Sequence, residues 1–196
     1  MKIGIVPSIQ EKYIGQFEYN CDLNLISFLK KIYKRSNIEI LTFDHKIDKK
    51  YNLLVISGAN GNDLTMFDKT KKNLIRNKLD LKFFNKAIKN NIPILGICHG
   101  AQFIAKKFNS SLKKKKHLGN HYIFTVKPKK KLLVNSYHNK VVFKLGKNLI
   151  CKAFSEDNTI EYFEHRYKKI VGIMWHPERF KKIKKLDHKI IKTLCT

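Results

Sequence analysis

Ile92-Pro93-Ile94-Leu95-Gly96-Ile97-Cys98-His99-Gly100-Ala101-Gln102 is an apolar run that ends in Gly-x-Cys-x-Gly and passes into residues suited to a helix. The pattern sets Cys98 on a sharp strand-to-helix turn, the cysteine counterpart of a Gly-x-Ser-x-Gly nucleophile elbow. Glycine on either side fits a turn too cramped for side chains. The following helix aims its N-terminal amides and positive dipole end at the sulfur, which favours thiolate. A single cysteine at a strand end is often just a small core residue. Its partners further along the chain decide against that reading here.

Outward from the elbow, short β-like runs alternate with helix-like segments. Residues 2–6, 38–43, 53–56 and 92–97 read as strands. Residues 22–34, 74–89 and 101–108 read as helices, the first with Leu23, Ile26, Phe28, Leu29, Ile32 and Tyr33 at helical spacing and Asp22 as its cap. This alternation predicts an α/β fold, a mostly parallel central sheet with helices on both faces. The second half changes texture. Residues 122–126, 132–134, 141–143, 149–154, 159–163 and 170–174 are short strand candidates, some extending the sheet and others forming a small antiparallel layer. Residues 181–194 suit a terminal helix, and the lysine clusters at 113–116 and 127–131 read as surface loops.

The chain has 196 residues, 43% of them hydrophobic, which suits one globular domain over residues 1–196. No apolar run approaches the ~20 residues that span a bilayer, and the first residues are too briefly apolar for a secretory signal. The four cysteines, Cys21, Cys98, Cys151 and Cys195, are scattered and give neither a disulfide framework nor a zinc spacing. A cytoplasmic location is the expectation. Lysine and arginine number 41 against 15 acidic residues, a net charge of +26. Such a balance raises the prospect of a polyanion partner. Most of these cations are lysines, however, beside abundant asparagine and isoleucine, and no stacking module for nucleic acid is present. Codon bias explains the charge better than nucleic-acid binding does; capture of a phosphorylated substrate is the secondary reading.

The second informative stretch is Gly172-Ile173-Met174-Trp175-His176-Pro177-Glu178, a strand ending in His-Pro-Glu. A thiol nucleophile needs a base, and the base needs an orienting group. His176 can take the proton of Cys98 and return it to a leaving group, while Glu178 holds the imidazole tautomer. Together Cys98, His176 and Glu178 fit a Cys-His-Glu triad.

On these motifs, Gly96-Ile97-Cys98-His99-Gly100-Ala101-Gln102 and His176-Pro177-Glu178, the chain resembles the class I glutamine amidotransferase-like family from residue 2 to about residue 180. The resemblance implies a flavodoxin-like sheet and cleavage of a γ-glutamyl amide through a γ-glutamyl thioester, with no cofactor. It also implies an oxyanion hole made by the amide of His99 with that of Gly58 or Ala59, in Ser57-Gly58-Ala59-Asn60, where the family usually has paired glycines. Gln102 is expected to help hold the glutamyl group. Val134-Asn135-Ser136-Tyr137-His138 resembles the γ-glutamyl hydrolase branch, in which Asn135, Ser136 and Tyr137 would grip the substrate. His117-Leu118-Gly119-Asn120-His121 is similar to that branch too. His121 and His138 could be ligands or bases, but scattered loop histidines are usually neither, and no metal site is expected.

Three functions follow. The first is a free-standing γ-glutamyl hydrolase. Its specific form resembles the enzyme type that removes glutamate from a γ-glutamyl phosphoramidate nucleotide in bacterial capsule synthesis. The second is a glutaminase subunit feeding ammonia to a separate synthase. The third is a basic, non-enzymatic polyanion binder on the same fold. The expected partner is a small γ-glutamyl compound, a nucleotide phosphoramidate in the specific form, with no membrane; the sequence leaves the oligomeric state open.

Overall fold

The computed structural model describes residues 1–59 and 70–195. In chain order these form β1 (Lys2–Val6), β2 (Ser8–Tyr13), β3 (Gln16–Asn20), α1 (Leu23–Ile32), β4 (Asn37–Ile40), β5 (Leu53–Ile56), α2 (Lys71–Lys89) and β6 (Ile94–Ile97). Then follow α3 (His99–Lys107), β7 (Ser111–Thr125), β8 (Lys131–Lys144), β9 (Leu149–Ser155), β10 (Ile160–His165), β11 (Ile170–Ile173) and α4 (Lys185–Cys195).

One nine-stranded sheet runs in the order β4-β1-β5-β6-β11-β10-β8-β7-β9. Its first five strands are parallel. From β10 onward every pairing is antiparallel. The expected small antiparallel layer is therefore a full half of the same sheet, and the parallel arrangement covers only the half that carries the elbow. A separate hairpin, β2-β3, was not foreseen.

Strand alternation explains how the parallel half is buried on both faces. Leu54, Ile56 and Ile94 face a core with Leu79, Phe83 and Ala87 of α2 and Ala101 and Ile104 of α3. Ile3, Ile5, Leu53, Val55, Leu95, Ile97, Val171 and Ile173 face the other way, onto Leu25, Phe28 and Leu29 of α1 and Ile190, Ile191 and Leu194 of α4. Helices thus cover both faces, as expected. The Asp22 side chain accepts from the Asn24 amide at 2.8 Å and fixes the start of α1, a cap of a kind that contributes ~1 kcal/mol. None of the described helices is long and apolar enough to cross a membrane.

The lysines at 113–116 correct a loop expectation. They lie inside β7, which pairs with β8 from Ser111↔Lys144 to Phe124↔Lys131. This long ribbon is exposed along much of its length, so lysine is as acceptable there as in a loop. Pairing, not local hydrophobicity, fixes the strand. Residues 132–134 and 141–143, read as two strands, belong to β8 for the same reason.

Candidate active site

β6 delivers Cys98 to the N-terminus of α3, and the turn is strained as the motif requires. Cys98 has φ 49° and ψ −101°, a region costing of order 1–3 kcal/mol for a residue with a side chain. The strain is held from two sides: the Cys98 amide donates to the Ile173 carbonyl at 2.8 Å, and its own carbonyl accepts from the Gln102 amide at 3.0 Å. Gly100 lets α3 close on the sheet, since a Cβ there would stand 2.0 Å from the Ile56 carbonyl oxygen.

β11 leads through Met174 and Trp175, both fully buried, to His176. The His176 Nδ1 lies 2.7 Å from the Glu178 carboxylate, which leaves the other ring nitrogen for the sulfur. The Cys98 sulfur is near enough to act electrostatically on this imidazole. Burial alone would lower the His176 pKa. The sulfur and the carboxylate outweigh that effect and raise it to about 9. The structure thus brings Cys98, His176 and Glu178 together over the 78 residues that separate sulfur from imidazole in the chain. Two further contacts fix His176: the Asn135 Oδ1 accepts from the His176 amide at 2.9 Å, and the Tyr137 ring meets the imidazole edge-on at 5.9 Å between centroids.

Gly58 stands beside the same ring. A Cβ at this position would lie 2.7 Å from the His176 Cε1, so a side chain would push into the imidazole. Gly58 and Ala59, half-buried, and the N-terminal residue of α3, His99, are thus all at the elbow end of the sheet. Residues 60–69, Asn60 among them, lie outside the described residues.

A buried charge network, which the sequence did not announce, joins the two sides of this site. The His99 ring sits 2.9 Å from Asp80, and Asp80 takes the Arg76 guanidinium at 2.8 Å. Arg76 in turn donates to the Ser57 carbonyl at 3.0 Å and to the carbonyl of Pro7. His99, which follows Cys98, is therefore tied through Asp80 and Arg76 to Ser57, which precedes Gly58. Charged residues four apart on the buried face of α2 were the available clue, because uncharged side chains normally occupy such positions.

The expected substrate residues divide. Asn135 engages the His176 backbone, and the Gln102 side-chain amide donates to the Lys140 carbonyl of β8 at 3.0 Å. Ser136 is fully buried, while Tyr137 is exposed at the rim. The Arg179 guanidinium covers the Tyr137 ring at 5.0 Å. Arg179 also lines a narrow crevice with Ser57, Gly58, His176 and Glu178. Arg179 is thus a cation at the site. Lys12 pairs with Glu18 on the β2-β3 hairpin, and Arg35 borders a different hollow with His188 and Lys192. A crevice of about 670 Å³ lies elsewhere, against α4, and no triad residue lines it.

A sequence model described as glutamine amidotransferase class-I matches residues 17–194. The chain is 37% identical over 158 residues to a gamma-glutamyl-CDP-amidate hydrolase of Campylobacter jejuni, covering 78% of this chain and 76% of that protein. It is 33% identical over 99 residues to a glutamine-hydrolyzing GMP synthase component of Thermoplasma acidophilum, 45% of this chain and 49% of that one. A solved glutamine amidotransferase of Thermotoga maritima shares the fold with a TM-score of 0.67 at 20% identity, over 90% of this chain and 76% of that chain.

Proposed function

Because the chain belongs to the class-I glutamine amidotransferase family, we propose that it is a single-domain γ-glutamyl hydrolase whose substrate is γ-glutamyl-CDP-amidate. The observation that carries this reading is the likeness to the Campylobacter jejuni enzyme of that activity. The contact of Cys98 with a His176 that is itself bonded to Glu178 supports the chemistry.

In this reading the Cys98 sulfur, as thiolate beside the His176 imidazolium, attacks the γ-carbonyl carbon. The carbonyl oxygen becomes an oxyanion, received by the amides of His99 and of Gly58 or Ala59; loss of one such donor typically costs ~10²–10³ in rate. His176 gives its proton to the nitrogen as the C–N bond breaks, and cytidine diphosphoramidate leaves. Water then attacks the γ-glutamyl thioester. His176 takes its proton, the C–S bond breaks, and glutamate departs with the thiolate restored. Glu178 keeps the imidazole oriented throughout. Asn135, Gln102, Ser136 and Tyr137 act around the glutamyl group, the first two by holding His176 and β8 in place. Arg179 and the surplus of lysine suit the diphosphate of the leaving group.

The likeness to a GMP synthase component favours a second reading, glutamine hydrolysis that supplies ammonia to a partner. Glutamate release from γ-glutamyl-CDP-amidate, glutamine and simple γ-glutamyl amines separates the two. The proposal expects the purified chain alone to turn over the nucleotide at least about tenfold faster than glutamine, a ~1.4 kcal/mol preference in the transition state. No turnover of the nucleotide, with ammonia released from glutamine only when a synthase partner is added, would replace it with the second reading.

A further inference from the structure

The antiparallel half of the sheet collects a second group of histidines around one carboxylate. β7 supplies His117 and His121, β8 supplies His138 directly opposite His117, and β10 supplies Glu161. The Glu161 Oε1 lies 3.1 Å from the His117 Nδ1, 3.6 Å from the His121 Nε2 and 4.0 Å from the His138 Nε2. One ligand atom from each of His117, His138 and Glu161 falls within 4.8 Å of the others. We propose that His117, His138 and Glu161, with His121 completing the set, bind a divalent transition-metal ion of the zinc class.

Three observations support this. Glu161 and His138 are wholly buried. Among the described residues, no lysine or arginine pairs with Glu161; its Oε2 and both ring nitrogens of His138 have no hydrogen-bond partner. Each such buried polar atom costs of order 1–3 kcal/mol if left alone, and one cation would satisfy the group together. The donors are also right. Imidazole nitrogen suits the borderline-soft zinc ion, and zinc also accepts a carboxylate oxygen in tetrahedral sites, in which neighbouring ligand atoms stand roughly 3.3 Å apart for bonds of ~2.0–2.1 Å. Finally, the supporting contact that metal-bound histidines commonly make is in place. The His117 Nε2, the nitrogen turned away from Glu161, is 2.8 Å from Asp157. Asp157 is itself fixed by Lys115, Ser155 and Thr159. A crevice of about 290 Å³ lined by His117, His121 and Asp157 gives a route in from solvent.

The ion would join β7, β8 and β10. Its ligands include none of Cys98, His176 and Glu178, and the thiol chemistry proposed for those residues needs no metal, so its role is to hold β8, which carries Asn135 and Tyr137 against His176.

Metal analysis of the full chain tests the proposal, after expression with zinc and dialysis against buffer. The expected result is about one zinc per chain, retained in Cys98→Ser and lost in His138→Ala and Glu161→Gln. Cobalt(II) added to stripped wild-type protein should give the visible spectrum of a tetrahedral nitrogen and oxygen site and raise the melting temperature. That measurement stands alone if either variant does not fold. The proposal is overturned by wild-type protein that takes up neither ion, by a cobalt spectrum showing thiolate charge transfer, or by folded variants that bind as tightly as wild type.

Discussion

The triad pocket and the histidine cluster hold buried imidazoles under the same sheet, yet their surroundings push the two rings in opposite directions. His176 and His138 are almost equally hidden from solvent. His176 has a carboxylate at 2.7 Å and a sulfur beside it, and its pKa rises to about 9. His138 meets the burial penalty with Glu161 only at 4.0 Å, and its pKa falls to about 4. Burial by itself favours neutral imidazole; a close, undivided anion reverses that. One ring is thus prepared to carry a proton and the other to offer a lone pair.

The comparison breaks most sharply at the sulfur. Cys98→Ala should reduce glutamate release by at least ~10⁴-fold while leaving the melting temperature and the metal content of the cluster unchanged. Full activity in this variant would end the mechanism. Gly58→Val should come next, with a loss of ~10²–10³-fold at intact fold by circular dichroism, because its Cβ would enter the space of the His176 ring. Glu178→Gln removes one of the two anions that raise the His176 pKa. The rate should fall by ~10²-fold as the ring loses its orientation, and the alkaline limb of the pH–rate profile should move to lower pH, because the His176 pKa of about 9 falls. The sign is that of a histidine raised in the folded state. Its stabilising contribution is complete below the ordinary value near 6.5 and is lost as pH climbs through about 9.

Changes in the buried carboxylates that surround the first pocket should be felt as stability. Asp80→Asn leaves Arg76 without its carboxylate in a buried site. Breaking such a pair costs ~3–5 kcal/mol, measurable by urea unfolding, with a smaller loss of activity as Ser57 and His99 loosen. The slightest effect is expected at Asp187, whose buried carboxyl accepts from the Trp175 indole at 2.9 Å. Burial raises its pKa to about 6, so the folded protein is penalised as pH rises from about 4 through 6. Asp187→Asn keeps the acceptor and should raise the melting temperature at pH 7 by a few degrees, of order 1 kcal/mol.

The same division explains what the sequence revealed. Cys98 and Gly100 lie in one short stretch, and His176 and Glu178 in another, so local patterns recorded them. β1, β5 and β6 are apolar on both faces and read directly as buried parallel strands. The antiparallel half left a weaker trace. Lys113 to Lys116 sit in a strand with no apolar alternation, and only the pairing with β8 makes it one. Arg76 with Asp80, and His117 with His138 and Glu161, are partnerships between distant or disguised positions; no local spacing encodes them.

β8 has a consequence for how this protein can change. Three of the four successive residues Asn135 to His138 serve both centres: Asn135 and Tyr137 touch His176, and His138 reaches toward Glu161. A one-residue slip of a strand turns every side chain to the opposite face. A one-residue insertion or deletion inside β7 or β8 beside this stretch would therefore disturb both centres in a single event, so the ribbon can vary in side chains along its lysine-rich flank and in the turn between Thr125 and Lys131, but not in register around His117 and His138.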